Sequence, residues 1–489
     1  MSVPGLWAAV AAVAVVIIDA LVRRAHRWAW EASLGGSRRA RLPPGDMGWP
    51  VVGAMWAFLW AFKSGNPDSF IGSFIRRFGR TGVYMTFMFS KPTVLVATPE
   101  ACKRVLMDDD SFLEGWPRAT VALIGRKSFL TLPCEEHRRL RKLTAAPING
   151  FDALTTYLGF IDRTVVATLR GWSDAGEIEF LTELRRMTFK IIVQIFLTAA
   201  DDATTLALES SYTDLNYGMR AMAINLPGFA FHRAFKARKK LVSVLQGVLN
   251  ERRARKRLPR SSVDMMDRLI DAEDEHGRRL DDEEIIDILV MYLNAGHESS
   301  GHICMWATVY LQKHPEIFAK AKAEQEEIMR SIPSSQMGLS LRDFRRMEYL
   351  SQVIDETLRL VNISYVSFRE ATKDVFVNAT RAIGYLIPKG WNVQLWYRSV
   401  HMDPEVYRDS KEFNPSRWEG YTPRAGTFLP FGLGTRFCPG NDLAKLEISV
   451  FLHHFLLGYK LTRTNPNCRI RYLPHPRPVD NCLAKITRV

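Results

Sequence analysis

The segment Phe431-Gly432-Leu433-Gly434-Thr435-Arg436-Phe437-Cys438-Pro439-Gly440, followed by the apolar-periodic run Asn441–Leu457, constrains this chain more than any other. Glycines at 432, 434 and 440 strip side chains from both sides of Cys438, so backbone there can come close to something flat or bulky. The helix predicted from 441 sets its N-terminus just behind the sulfur, and Arg436 adds a cation two residues away. Both favour a thiolate. A thiolate with open space before it suits an axial ligand of haem iron. The ordinary alternative is a small buried hydrophobe, the usual state of a lone cysteine. The GxG at 432–434 lacks the strand, third glycine and acid of a dinucleotide site, so phosphate binding is set aside.

The remaining cysteines, 102, 134, 304, 468 and 482, match no paired spacing. That excludes a disulfide scaffold and a zinc ribbon and fits a reducing compartment. The 66 Lys and Arg exceed the 52 Asp and Glu, a net charge of +14. Eleven of the basic residues lie between Arg233 and Arg260 against one acid, Glu251. Apart from Phe235 the stretch has no aromatic interleaving of the kind that stacks on bases, so nucleic acid is not expected. It reads either as a solvated helix face or as a patch facing a membrane or partner. Leu6–Val22 is a 17-residue apolar run broken only by Asp19, with Arg23, Arg24 and Arg27 after it and no Lys or Arg before it. It is expected to be a membrane anchor with the following chain cytosolic, not a cleaved signal peptide. Three segments are therefore expected: an anchor at 1–22, a basic and proline-rich linker at 23–50, and one catalytic domain at 51–489.

Apolar periodicity predicts helices over Leu181–Leu197, Arg238–Arg255, Asp281–Lys313, Pro315–Ser331 and Leu350–Leu360. Strands are predicted at Val83–Phe89, Thr93–Ala97, Val375–Val377, Tyr385–Ile387 and Val393–Tyr397. The fold class is mainly α with a small β part. Within the longest helix, His297, Glu298 and His302 superficially suggest a zinc motif. The histidines are five apart and diverge by about 140° around the helix, so zinc is set aside.

The cysteine loop resembles the haem-binding segment FxxGxRxCxG of the cytochrome P-450 family, with Phe431, Gly434, Arg436, Cys438 and Gly440 filling every fixed position. Glu356-Thr357-Leu358-Arg359 is similar to that family's ExxR, and Arg417 in Phe413–Trp418 to its third partner. The resemblance implies a cytochrome P-450 fold, haem b held by Cys438, and a buried Glu356–Arg359–Arg417 cluster behind it. Ala295-Gly296-His297-Glu298-Ser299-Ser300 resembles AGx(D/E)T(T/S), which implies that Glu298 and Ser299 deliver protons during dioxygen activation, with Gly296 giving room. Serine stands for the usual threonine. His137 and Arg141 fall where the family has WxxxR, implying contact with a haem propionate, although His137 replaces the tryptophan. Arg138, Arg139 and Lys142 read as a solvated basic face or as attraction for an acidic electron donor. By family position, Leu293, Ala295 and Val366 are expected at the substrate pocket; as apolar side chains they read equally as core. About five residues, Ala379–Ile383, look inserted in a turn between two strands.

Several runs also resemble plant ent-kaurenoic acid oxidases: Tyr292–Ser300, Leu360–Ser364, Pro439–Glu447, Ala145–Phe151 and Pro474–Cys482. This implies an enzyme of the endoplasmic reticulum that oxidises a diterpenoid acid in successive steps towards the gibberellin skeleton. No nicotinamide or flavin domain is recognisable, so NADPH electrons are expected through a separate reductase. Within the same family, a steroid or triterpenoid hydroxylase shares every motif. A haem-thiolate isomerase and a non-enzymatic haem protein are the readings outside monooxygenation.

Overall fold

Periodic apolar runs become helices within about two residues of the expected bounds, except that the one expected from Arg238 begins at Ala230. The computed structural model describes residues 3–198, 202–219, 221, 223–254, 264–333, 336, 338–378 and 384–489. It places helices at Phe180–Phe196, Ala230–Ala254, Asp282–Lys313, Pro315–Ser331 and Glu348–Val361. The strands are short, so the chain is mainly α with a small β part. Two compact units emerge: Met1–Gly115 with Ser364–Ser410 and Pro423–Arg436, and Trp116–Ile363 with Lys411–Thr422 and Phe437–Val489.

The first unit is built on a five-stranded sheet. Val83–Met88 pairs antiparallel with Lys91–Val96, which runs parallel to Asn392–Trp396. Val366–Ala371 then pairs antiparallel with that strand and with Phe112–Glu114. The hairpin turn is Phe89-Ser90, both at positive φ (53° and 63°), the backbone a two-residue hairpin requires, so the second strand begins at Lys91 rather than Thr93. Val83, Met85 and Phe87 alternate into one core with Val94, Val96, Val393 and Leu395.

The proline-rich segment is bound to this sheet. Leu42 and Met47 are in its core. Gly45 bridges Met85, where a Cβ would stand 1.9 Å from the Met85 carbonyl oxygen. On either side, Met85 N–H donates to the Pro44 carbonyl at 3.0 Å and Asp46 N–H to the Met85 carbonyl at 3.1 Å. The N-terminal helix runs unbroken over Val3–Glu31, past the expected boundary at 22. Its later turns are tied down: Trp49 Nε1 donates to Asp19 at 2.6 Å, Arg23 pairs with Asp46 at 3.1 Å, and His26 Nδ1 meets the Gly48 carbonyl at 3.0 Å. No helix among the described residues is long and apolar enough to cross a membrane. The apolar run stops short of the roughly 20 residues a span needs, and Asp19 interrupts it.

The second unit is organised around Asp282–Lys313, a 32-residue helix opened by a capping box in which Asp281 and Glu284 satisfy each other's backbone N–H groups. Gly296 and Gly301 let the Phe180–Phe196 helix lie against it. A Cβ on Gly296 would be 2.9 Å from Ile192 Cδ1, and one on Gly301 3.3 Å from Arg185 N. Thr188 Oγ1 also donates to the His297 carbonyl across this contact at 2.9 Å. A three-stranded antiparallel sheet of Glu177–Glu179, Leu483–Arg488 and Tyr459–Arg463 closes the unit.

The basic run from Arg233 is partly turned inward. Arg238 pairs with Asp287 at 2.6 Å and also donates to the Leu123 and Ile124 carbonyls, Arg252 joins Asp264 and Asp267, and Arg253 joins Asp282. Residues 255–263 and the five at 379–383 lie outside the described residues.

Candidate active site

Within the second unit, Glu356 and Arg359 sit one turn apart on the Glu348–Val361 helix with fully buried side chains. Arg359 donates from Nε and a terminal nitrogen to the two Glu356 oxygens at 2.9 and 2.8 Å. Arg417 Nε, Trp418 Nε1 and the Asn414 backbone N–H complete the carboxylate's partners at 2.9, 3.1 and 3.0 Å. Arg359 also donates to the Glu412 carbonyl at 3.1 Å. Every lone-pair direction of the carboxylate is used, the condition under which a buried charge is tolerated. Residues 356, 359 and 417 therefore meet as expected, and Trp418 and Asn414 join them.

Cys438 precedes the helix Asn441–Gly458 in the same unit. Burial pushes its thiol up, while the Gly440 N–H and the Arg141 guanidinium pull it down. Gly440 has an ordinary negative φ, and a Cβ there would lie 4.0 Å from the Cys438 sulfur. The remaining cysteines are free thiols; burial, with the Glu100 charge, pushes Cys102 up, and burial pushes Cys482 up to about 12. Arg141 and His137 are one turn apart on the helix Cys134–Asn149. His137 is buried edge-on against Phe129, with ring centroids 5.5 Å apart. Asn149, the last residue of that helix, donates from Nδ2 to the Pro439 carbonyl, a brace the sequence reading did not contain.

In the first unit, the loop up to Arg436 is shaped by glycines at positive φ, 77° at Gly432 and 79° at Gly434. A Cβ on Gly434 would stand 2.3 Å from the Leu106 carbonyl oxygen. His401 Nε2 accepts the Leu429 N–H at 2.8 Å and fixes the loop's approach to half-buried Phe431. The Arg436 and Arg369 guanidiniums converge on Glu114 at 3.5 and 2.8 Å, all three side chains nearly buried. Two cations share one carboxylate there, a corner able to receive a further carboxylate such as a propionate. The donor set beside Cys438 fits haem: a half-buried sulfur with its own N–H donor and a nearby cation.

The acid–alcohol pair occupies two sides of its helix. Glu298 is buried against Arg185, with His297 Nε2 at 3.6 Å and His302 Nδ1 at 3.7 Å. Burial would push its carboxyl up, but the His297 hydrogen bond and the Arg185 charge hold it well below the usual range. Burial pushes His302 down to about 4, so the imidazole is neutral. No cluster of three metal-binding side chains exists among the described residues. Ser299 is half-buried and donates to the Ala295 carbonyl at 3.0 Å, with Ala295 exposed beside it. No hydrogen bond joins Glu298 to Ser299 among the described residues. Gly296 faces Ile192 and serves helix packing. Leu293 is fully buried core, and Val366 is half-buried at the start of its strand. Glu447, which the motif reading passed over, is buried beside the Ser300 hydroxyl, and burial pushes it up to about 8.

The basic helix divides in the same way. Arg139 is an internal hub, bonded to Asp274, Glu284 and Glu136 at 2.6, 3.1 and 3.2 Å. Arg138 and Lys142 face solvent.

The chain is similar to known proteins along almost its whole length. A sequence model of the family described as Cytochrome P450 matches residues 43–473. The ent-kaurenoic acid oxidase of Oryza sativa subsp. japonica is 74% identical over 491 residues, covering 99% of this chain and 96% of its own length. Ent-kaurenoic acid oxidase 1 of Hordeum vulgare is 74% identical over 496 residues, covering 99% and 98%. Among solved structures, a retinoic acid-bound cyanobacterial CYP120A1 matches with a TM-score of 0.81 at 27% identity, covering 92% of this chain and 99% of that one.

Proposed function

The chain belongs to the cytochrome P450 family, and from that premise we propose that it is an ent-kaurenoic acid oxidase, a haem-thiolate monooxygenase that oxidises a diterpenoid acid towards the gibberellin skeleton. The observation that carries the reading is the 74% identity to the rice enzyme across 99% of the chain. Haem supplies dioxygen activation with electrons passed from an NADPH-dependent reductase.

The chain's own residues then have assignable tasks. Cys438 would ligate the iron. His137, Arg141 and Arg436 are the residues that would bind propionate. The Glu356–Arg359–Arg417 cluster fixes the polypeptide behind the ligand loop. Ser299 offers a hydroxyl on the Ala295 side of the helix, and Glu298, ionised against Arg185, would rotate out of that pair, take up a proton from water and pass it to the hydroxyl. Leu293 and Val366 contribute apolar wall.

Residues 1–22 are proposed as the anchor, 23–50 as its basic, proline-rich connection and 51–489 as the catalytic part, on the endoplasmic reticulum membrane. Exposed Val13, Val16, Ile17 and Leu21 support this, as do Trp56 and Trp60, 71% and 66% exposed one turn apart on the helix Met55–Lys63. Indoles at such positions favour the lipid–water interface. The test is to supply ent-kaurenoic acid to membranes carrying this chain and a plant reductase, with NADPH, and to follow products by mass spectrometry. Successive oxidised diterpenoid acids are expected. Turnover of sterols or triterpenoids in place of the acid would move the chain to another substrate class.

A further inference from the structure

The end of the helix Cys134–Asn149 reaches the loop that carries Cys438. Asn149 donates from Nδ2 to the carbonyl of Pro439. That carbonyl belongs to the Pro439–Gly440 peptide, whose opposite pole is the Gly440 N–H, and Gly440 lies against the sulfur: a Cβ there would stand 4.0 Å from it, and the N–H acts on the thiol as a donor. The path from side-chain amide to sulfur thus runs through one planar, conjugated unit. Pro439 has no N–H, so Gly440 provides the first backbone donor after the cysteine. Asn149 Oδ1 is buried and has no hydrogen-bond partner among the described residues, so the side chain is held by its donor end alone. Were its role only to finish the helix, nothing would require the donor to face the ligand loop. The helix end has its own fastening, a 2.7 Å bond from the Tyr157 hydroxyl to the Pro147 carbonyl.

We propose that Asn149 is a positioning residue for the sulfur ligand, polarising the Pro439–Gly440 peptide and so strengthening the hydrogen bond from Gly440 to Cys438. A donor on a carbonyl makes the same amide's N–H a better donor. Hydrogen bonds to a ligating sulfur draw electron density from it and set the reduction potential. The inference rests on Cys438 being the haem ligand.

The experiment uses the haem-loaded full chain without reductase. Midpoint potential and the absorption of the reduced, carbon monoxide-bound form are measured for wild type, Asn149→Ala, Asn149→Asp and Tyr157→Phe. Both Asn149 variants should keep the thiolate-type band and shift the potential to more negative values. Asn149→Asp, nearly isosteric, guards against collapse of the loop. Tyr157→Phe should lower the unfolding temperature without moving the potential. An unmoved potential in both Asn149 variants would overturn the proposal, as would an equal shift in Tyr157→Phe. Absence of a thiolate-type band in wild type would instead remove the ligand assignment, and this inference with it.

Discussion

Two acceptors compete for the Ser299 hydroxyl. The carbonyl of Ala295 holds it at 3.0 Å, as helix-interior serines commonly are held. A proton relay needs the same hydroxyl to turn towards the reacting oxygen. Ser299→Ala should leave stability within about 0.5 kcal/mol while lowering the ratio of product formed to NADPH consumed, with peroxide accounting for the difference. Unchanged stoichiometry would assign the hydroxyl to the Ala295 carbonyl alone. Cys438 was legible as a site because glycines and a following helix surround it in sequence. Asn149 was not, because its partner lies 290 residues away and an asparagine at a helix end reads as a local stop signal. Glu298 was legible as an acid, but its Arg185 partner comes from another helix 113 residues earlier, and no local pattern encodes that.

Among the elements, the Glu348–Val361 helix carries the heaviest electrostatic commitment. Removing one member of a fully buried ion cluster costs about 3–5 kcal/mol, because the partner charges remain desolvated. Glu356→Ala should therefore unfold at markedly lower urea and lose haem during purification. Recovery of normal urea stability would mean that Arg359 and Arg417 find other partners. The Asn441–Gly458 helix gives a pH-dependent counterpart through Glu447. Its carboxyl ionises near 4.5 when the chain is unfolded but is pushed up to about 8 in the fold. The folded state thus binds the extra proton between those values, and stability falls as pH rises through that window, by on the order of 5 kcal/mol at full linkage. Urea midpoints should decline from about pH 5 to pH 8 in wild type, and Glu447→Gln should flatten the decline. Equal slopes would mean that Glu447 ionises freely in the fold. Sequence periodicity found the long helices but could not find this burial, since an isolated glutamate in a helix reads as solvated. It also missed the strands Phe112–Glu114 and Glu177–Glu179, because three residues are too few to display a period of two, and Val366–Ala371, whose successive residues are buried without alternation.

For the whole molecule, the count of 66 Lys and Arg overstates what a partner can use. Arg139, Arg238 and Arg252 are spent on internal carboxylates, whereas Arg138 and Lys142 remain exposed. Charge reversal at Arg138 and Lys142 should raise the reductase concentration for half-maximal rate, and added salt should shrink the difference because exposed charges are screened within about 8 Å. Arg139→Glu should instead lower the unfolding temperature. A half-maximal concentration that ignores Arg138 and Lys142 would place the reductase contact on other residues. The Val3–Glu31 helix has a consequence of another kind. It passes residue 22 without a break and is fastened to the first unit by Asp19 with Trp49, Arg23 with Asp46, and His26 with Gly48. A loose tether would let the first unit tip freely against a bilayer; a helix fastened on three successive turns removes that tipping. Were Leu6–Val22 in lipid, as proposed, the first unit would keep a fixed tilt with one face always to the membrane, and the search for a lipid-dissolved substrate would be confined to two dimensions.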